Sequence, residues 1–305
     1  VSSAASDVYK RQLLKQYFGH DSFRDGQENI IDNISSGRDA LCIMPTGGGK
    51  SICYQIPALM SDGIAIVISP LISLMKDQVT SLNQNGIRAA YINSTLTSTQ
   101  QSRAIYNAMR GEYKLIYVAP ERLEAPAFLN LCNSIKISLI AVDEAHCVSQ
   151  WGHDFRPSYL KIADFISKLD NRPVISAFTA TATDAVKRDI LNLLGLKNPF
   201  EITTGFDRKN LFFAVKRPQN KQKELLAIVS EHKNQSGIIY CATRKNVEKV
   251  SDFLNENGYD SLIYHAGLSN EIRSKNQDDF INDRCNLIVA TNAFGMGIDK
   301  PDVRF

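Results

Sequence analysis

No stretch constrains this chain more than Met44-Pro45-Thr46-Gly47-Gly48-Gly49-Lys50-Ser51. An apolar run, Ala40-Leu41-Cys42-Ile43, enters it, and Ile52-Cys53-Tyr54-Gln55-Ile56 leaves it with helical character. Strand, glycine loop, Lys-Ser and helix, in that order, is the context a phosphate-binding loop needs. Glycines let successive backbone N–H groups turn inward as an anion-binding nest. The helix that follows aims its unpaired N–H groups and positive dipole end at the same place. Lys50 would reach the β- and γ-phosphates of ATP, and the Ser51 hydroxyl would ligate Mg²⁺. Met44 stands where the usual pattern has its first glycine. A plain glycine-rich turn is the competing reading, and it leaves the Lys-Ser pair unexplained.

At 305 residues the prior is about two domains. Hydrophobic content of 44% and charged content of 22% suffice for a core in each. The net charge of +3 neither demands nor excludes nucleic acid as a partner. Six cysteines include no C-x-x-C pair, and several sit in apolar runs. Reduced buried thiols in a cytosolic protein are therefore expected, with no disulfide framework and no zinc site. No apolar run has the length of a membrane span. Residues 1–12 lack a Met and an apolar signal core, and are expected to be a disordered end or an artificial remnant.

Residues 13–18 read as helix, and Ile30, Ile31 and Ile34 share a helical face in the next one. Beyond the glycine loop come the largely apolar strands 64–68, 89–92, 114–118, 139–142 and 174–178. Helices are expected between them, one opened by a Thr97–Gln100 capping box. Thr183 would cap another that turns Val186, Ile190, Leu193 and Leu194 inward. Short apolar strands alternating with helices imply a parallel sheet covered on both faces. The rhythm breaks near Asn198-Pro199, and residues 206–210 look like a linker. A second, smaller α/β set follows, with helices at about 221–232, 245–257 and 270–282 and strands at 238–240, 261–264 and 287–290. The expected domains are thus 13–205 and 206–305.

Asp143-Glu144-Ala145-His146 directly follows an apolar strand. Asp143 would hold Mg²⁺, Glu144 would orient and deprotonate the attacking water, and His146 would sense the γ-phosphate or relay to nearby loops. Trp151, the one Trp in the chain, sits among Ser149, Gln150, Gly152, His153 and Asp154, poor company for a core residue. An aromatic face there suits stacking on unpaired bases. The competing reading is a Trp half-buried under a loop.

Thr46–Ser51, Asp143–His146 and Thr179–Thr183 resemble motifs I, II and III of superfamily-two helicases, and within them the RecQ family. Residues 17–27 resemble its adenine-recognising motif 0, and 147–157 its aromatic-rich loop. Residues 69–79, 117–123, 237–244 and 290–305 resemble motifs Ia, Ib, IV and V. The resemblance implies two RecA-like α/β domains, each a mostly parallel sheet flanked by helices, the second incomplete at its C-terminus. It implies an ATP-dependent helicase with 3′→5′ polarity on single-stranded and duplex DNA, acting in DNA repair and recombination. Nucleotide contacts would come from Phe18, Arg24, Gln27, Thr46, Gly47, Gly48, Gly49, Lys50, Ser51, Gly297 and Asp299. DNA contacts would come from Lys76, Arg122, Trp151, Phe155, Arg156, Arg244 and Thr291, with solvated surface charge as the competing reading for each basic residue. His20, Asp25 and Lys209 depart from the family pattern, and the chain stops before motif VI with its arginine finger, so ATP–Mg²⁺ binding with slow hydrolysis and no duplex unwinding is expected. Rival readings are a nucleotide-gated nucleic-acid-binding fragment with little turnover and an RNA-directed helicase. The expected location is cytoplasmic, at the nucleoid in a bacterium, or nuclear in a eukaryote.

Overall fold

The computed structural model describes residues 3–152, 154–205, 211–291, 294, 300 and 302–305. The chain divides into two compact units, Val1–Arg208 and Lys209–Phe305. The expected linker, residues 206–210, lies outside the described residues.

In the first unit the described strands are β1 (Ala40–Ile43), β2 (Ile64–Ile68), β3 (Ala89–Ile92), β4 (Leu115–Val118), β5 (Ile137–Val142), β6 (Val174–Thr179) and β7 (Phe200–Thr203). They form one parallel sheet in the order β3-β4-β2-β5-β6-β1-β7. Successive strand residues face opposite sides, so each strand feeds two cores. On β2, Ile64, Ile66 and Ile68 enter one core while Ala65 and Val67 enter the other. On β5, Ile140 and Val142 join the first, and Leu139 and Ala141 the second. This is why the strands read as unbroken apolar runs rather than as alternation.

The helices of this unit are α1 (Ser3–Phe18), α2 (Gln27–Ser35), α3 (Lys50–Met60), α4 (Ile72–Gln84), α5 (Ser98–Met109), α6 (Pro126–Ser134), α7 (Lys161–Ser167) and α8 (Asp184–Leu193). Both sides of the Thr97–Gln100 capping box form. Thr183 caps α8 by accepting from the Val186 N–H. Val186, Ile190 and Leu194 are buried as expected, whereas Leu193 is exposed.

The helix at the start of the chain is longer than the sequence suggested. Residues 3–12, expected as a loose end, continue the helical turn of 13–18. Lys10 explains it: its side chain is 2% exposed and its ammonium pairs with Asp7 at 2.8 Å and Asp32 at 2.6 Å. One turn on, Leu13 and Leu14 pack against Ile31 and Ile56. The strand β7, absent from the sequence reading, pairs with β1 at the sheet edge.

The second unit has helices α9 (Lys221–Glu231), α10 (Arg244–Glu256) and α11 (Asn270–Ile281). Its described strands are β8 (Gly237–Tyr240), β9 (Leu262–Tyr264) and β10 (Leu287–Ala290), parallel in the order β8-β10-β9. Val229, Val247, Leu254, Leu287 and Val289 form one small core, and Phe280, Ile288, Ala290 and Phe294 another. Residues 303–305 run beside β8: Ser236 bridges Val303, and the Ile238 N–H donates to the Phe305 carbonyl at 2.9 Å. The Phe305 ring stacks on His232, centroid to centroid 4.7 Å.

Candidate active site

The glycine loop joins β1, between β6 and β7 in the sheet, to the first turn of α3. Gly47 and Gly49 have φ of 77° and 79°. Gly49 is the N-cap of α3, and any side chain there would run into the Gln27 amide. Only glycine permits this left-handed geometry and this close approach together. Lys50 and Ser51 open the helix, and the Lys50 ammonium donates to the Met44 carbonyl at 3.3 Å. Thr46 and Gly47 are exposed at the tip.

The segment before α2 grips this loop. Gln27 is 3% exposed, and its amide donates to the Gly49 carbonyl at 3.0 Å and the Gly48 carbonyl at 3.4 Å. Its carbonyl oxygen accepts from the Arg24 N–H at 2.8 Å. The Arg24 guanidinium donates to the Gly47 carbonyl. Phe18 packs half-buried against the cores of α1 and α3. The residues expected to read an adenine are thus brought to the phosphate loop's own backbone.

Asp143 ends β5, and its N–H donates to the Ile68 carbonyl of β2 at 2.9 Å. Burial holds its carboxyl far above the usual carboxylate range, at about 7; the charge of Glu144 adds to this, and the Lys50 ammonium works the other way. A buried carboxylate beside a second one fits a divalent cation. Mg²⁺ takes few protein ligands and fills its sphere with water and phosphate oxygens, so one buried carboxylate such as Asp143 suits it. Glu144 has φ 46° and ψ 45°, left-handed for a non-glycine residue. Its carboxylate lies 3.3 Å from His146 Nδ1, and that nitrogen lies 2.8 Å from the Thr179 hydroxyl. Thr179 closes β6 and donates to the Thr181 carbonyl at 3.0 Å. The structure therefore joins Asp143–His146 to Thr179–Thr183 through His146, which is 4% exposed.

Trp151 is 79% exposed, which removes the reading of a Trp half-buried under its loop. Phe155 is half-buried. Arg156 is committed within the protein: it donates to Asp154 at 2.9 and 3.1 Å and to the Pro70 carbonyl at 3.0 Å. Lys76 is exposed on α4, and Arg122 is half-buried after β4 with its Nε lacking a hydrogen-bond partner. In the second unit Arg244 is exposed at the start of α10, and Thr291, just past β10, donates its N–H to the Tyr264 carbonyl. Gly297 and Asp299 lie outside the described residues.

Residues 24–189 match the DEAD/DEAH box helicase family, and residues 220–305 match the helicase conserved C-terminal domain. The chain belongs to the DEAD/DEAH box helicase family. It is 48% identical over 296 residues to the ATP-dependent DNA helicase RecQ of Bacillus subtilis, covering 97% of this chain and 50% of that one. It is 46% identical over 293 residues to RecQ of Haemophilus influenzae, covering 96% and 47%. The chain thus spans about half the length of these curated relatives. Among solved structures, the Mycobacterium smegmatis helicase Lhr bound to ssDNA and AMP-PNP superposes with a TM-score of 0.70 at 20% identity, over 95% of this chain and 42% of that one. That likeness supports the two RecA-like α/β units.

For a DEAD/DEAH box helicase, the site's second layer was the part hidden from sequence reasoning. Tyr54 and Tyr117 are fully buried with hydroxyls 3.5 Å apart, and the Gln55 amide donates to Tyr117 at 3.1 Å. The Tyr159 hydroxyl donates to the Asp143 carbonyl at 2.8 Å. Tyr54 and Gln55 lie in the helical stretch after Ser51, but no pattern marked them as partners of Tyr117. No described helix is long and apolar enough to cross a membrane.

Proposed function

We propose that this chain is the motor core of an ATP-dependent DNA helicase that moves 3′→5′ on single-stranded DNA and separates duplex ahead of it. One observation carries the reading. The buried Asp143 and the half-buried Glu144 continue within a few residues into a loop that holds Trp151 79% exposed. A single short segment therefore carries both the groups suited to hydrolysis and an aromatic face suited to a base.

In this reading the loop N–H groups and Lys50 hold the phosphates, while Asp143 and Ser51 hold Mg²⁺. Magnesium, when bound, neutralises charge on the β- and γ-phosphates. Glu144 accepts the proton of the attacking water. His146, between Glu144 and Thr179, transmits the state of that carboxylate to the 179–183 segment. Phe18, Arg24 and Gln27 read the adenine. Lys76, Arg122, Trp151, Phe155, Arg244 and Thr291 contact the strand, with Arg156 bracing the loop through Asp154. Gly297 and Asp299 complete the nucleotide contacts. The work is done wherever the DNA lies, in the cytoplasm of a bacterium or the nucleus of a eukaryote.

The test is ATP hydrolysis measured alone, with single-stranded DNA and with RNA of the same sequence, beside unwinding of a 3′-tailed duplex. Stimulation by DNA above RNA is expected. Nucleotide binding without DNA-stimulated turnover would replace the motor with a nucleotide-gated binding protein, and stimulation by RNA alone would make it an RNA-directed helicase.

A further inference from the structure

The loop that carries Trp151 is tied to α8 by one hydrogen bond that no motif contains. Ser149 is 0% exposed, and its hydroxyl donates to the Asp189 carboxylate at 2.6 Å. The same oxygen accepts the Trp151 N–H at 3.2 Å. A hydroxyl has one proton to give, and its rotor is otherwise free. Once that proton points at Asp189, the lone pairs face a fixed direction, and the Trp151 N–H is held by them. Charge-assisted O–H···O⁻ bonds are short and strong, and this one is short. Among the described residues, Ser149 is the one side chain hydrogen-bonded to the Asp189 carboxylate.

The second grip comes from the same β6–α8 stretch. His146 Nδ1 meets the Thr179 hydroxyl at 2.8 Å. Thr179 and Asp189 thus hold this segment at His146 and at Ser149, and a cavity of about 390 Å³ adjoins it, lined by His146, Trp151, Gly152, Thr181, Thr183 and Val186. A base stacking on Trp151 would press on a loop whose other attachment is the helix that begins at Thr183.

We propose that Asp189 is a positioning residue: through Ser149 it fixes the Trp151 loop to α8 and so couples base contact at Trp151 to the 179–183 segment. This rests on the reading of Trp151 as a base-stacking residue. Asp189 touches neither nucleotide nor DNA in this scheme.

The single Trp makes the loop directly observable. Intrinsic fluorescence anisotropy of the free protein reports the mobility of Trp151, and titration with oligothymidylate reports its response to unpaired bases. Asp189→Ala is expected to lower the anisotropy and to weaken the oligothymidylate response by about tenfold, the size of a typical coupling between sites. Basal ATP hydrolysis should stay at the wild-type rate. Asp189→Asn keeps an acceptor oxygen and is expected to restore most of both signals. If Asp189→Ala fails to fold, Ser149→Ala removes the same bond from the other side and is expected to lower the anisotropy as well. Wild-type anisotropy in both alanine variants would overturn the proposal, as would an Asp189→Asn variant as impaired as Asp189→Ala. A wild-type protein whose fluorescence ignores oligothymidylate would instead overturn the base-stacking reading, while the anisotropy of the free variants still decides the tether.

Discussion

The two units are built on the same plan and differ in how much of it is buried. In the first, the central strands β1, β2, β4, β5 and β6 are covered on both faces, and Asp143 and Thr179 at strand ends and His146 in the turn after β5 have exposures of 8%, 0% and 4%. In the second, all of β9 is half-buried, Tyr240 at the end of β8 is 55% exposed, and the cores are two short rows of side chains. Groups that must be dry and fixed need a thick scaffold, because only close packing holds a side chain within tenths of an ångström. A thinner sheet suffices for exposed groups such as Arg244 that meet a partner from solvent. In the proposed reading, the buried strand ends of the first unit suit the hydrolytic groups, and the exposed groups of the second suit contact with a partner.

Lys50→Ala tests the first half of that assignment with the largest effect. Nucleotide binding should fall below detection with a fluorescent ATP analogue, while thermal unfolding is unchanged. Retained binding would break the comparison, since the phosphates would then be held elsewhere.

Glu144→Gln should keep nucleotide binding and slow hydrolysis by about 10²–10⁴, because an amide accepts no proton from water. Asp143→Asn should instead weaken binding in Mg²⁺ and leave binding in EDTA unaltered. Single-turnover hydrolysis and binding measured side by side distinguish the two, and a Glu144→Gln variant with near-normal turnover would remove the carboxylate from the mechanism.

A core substitution in each unit sharpens the contrast in stability. Phe178→Ala and Phe280→Ala each delete a fully buried ring, a loss of about 3–5 kcal/mol. Calorimetry should show the second unit unfolded by Phe280→Ala with the first unit's transition unmoved, whereas Phe178→Ala lowers the first transition without abolishing it. A shared transition that shifts equally in both variants would mean that the units unfold together.

Trp151→Ala should cut stimulation of ATP hydrolysis by single-stranded DNA while sparing the basal rate, at about 1–3 kcal/mol for the lost stacking. Equal loss of both rates would return Trp151 to a purely structural role. The smallest effect is that of pH. Asp143 keeps its proton in the folded chain up to about 7 but releases it near 3.8 when unfolded. The folded state binds the extra proton between these values, so this group's contribution to stability is full below 3.8 and falls as pH rises toward 7. Asp143→Asn should flatten the pH dependence of chemical denaturation over that window; identical slopes would show the carboxyl titrating normally.

The first unit's strands were legible because burial on both faces leaves a run of apolar residues that only a parallel sheet uses. The glycine loop was legible because Lys and Ser have no reason to follow three glycines otherwise. Residues 3–12 were not, because α1 lacks an apolar stripe along that stretch and docks there through ion pairs of Lys10 with Asp7 and Asp32, which leave no periodicity. The strand β7 was hidden because Glu201 breaks its apolar run and alternate residues are exposed, and by Asn198-Pro199 just before it. In the site, residue types were readable but partners were not. Nothing in the spacing links Arg156 to the Pro70 carbonyl, or His146 to Thr179, because parallel strands bring distant residues side by side.

The left-handed backbone at Glu144 sets stability against function at one residue. Such a conformation costs a non-glycine residue on the order of 1–3 kcal/mol, and glycine would adopt it freely. Selection for thermal resistance alone should therefore enrich Glu144→Gly, a variant expected to fold better and, under the proposed role of Glu144, to hydrolyse ATP about 10²–10⁴ more slowly. A library of this protein sorted by melting temperature would drift away from its own chemistry at this position first, and the frequency of glycine there would measure how far.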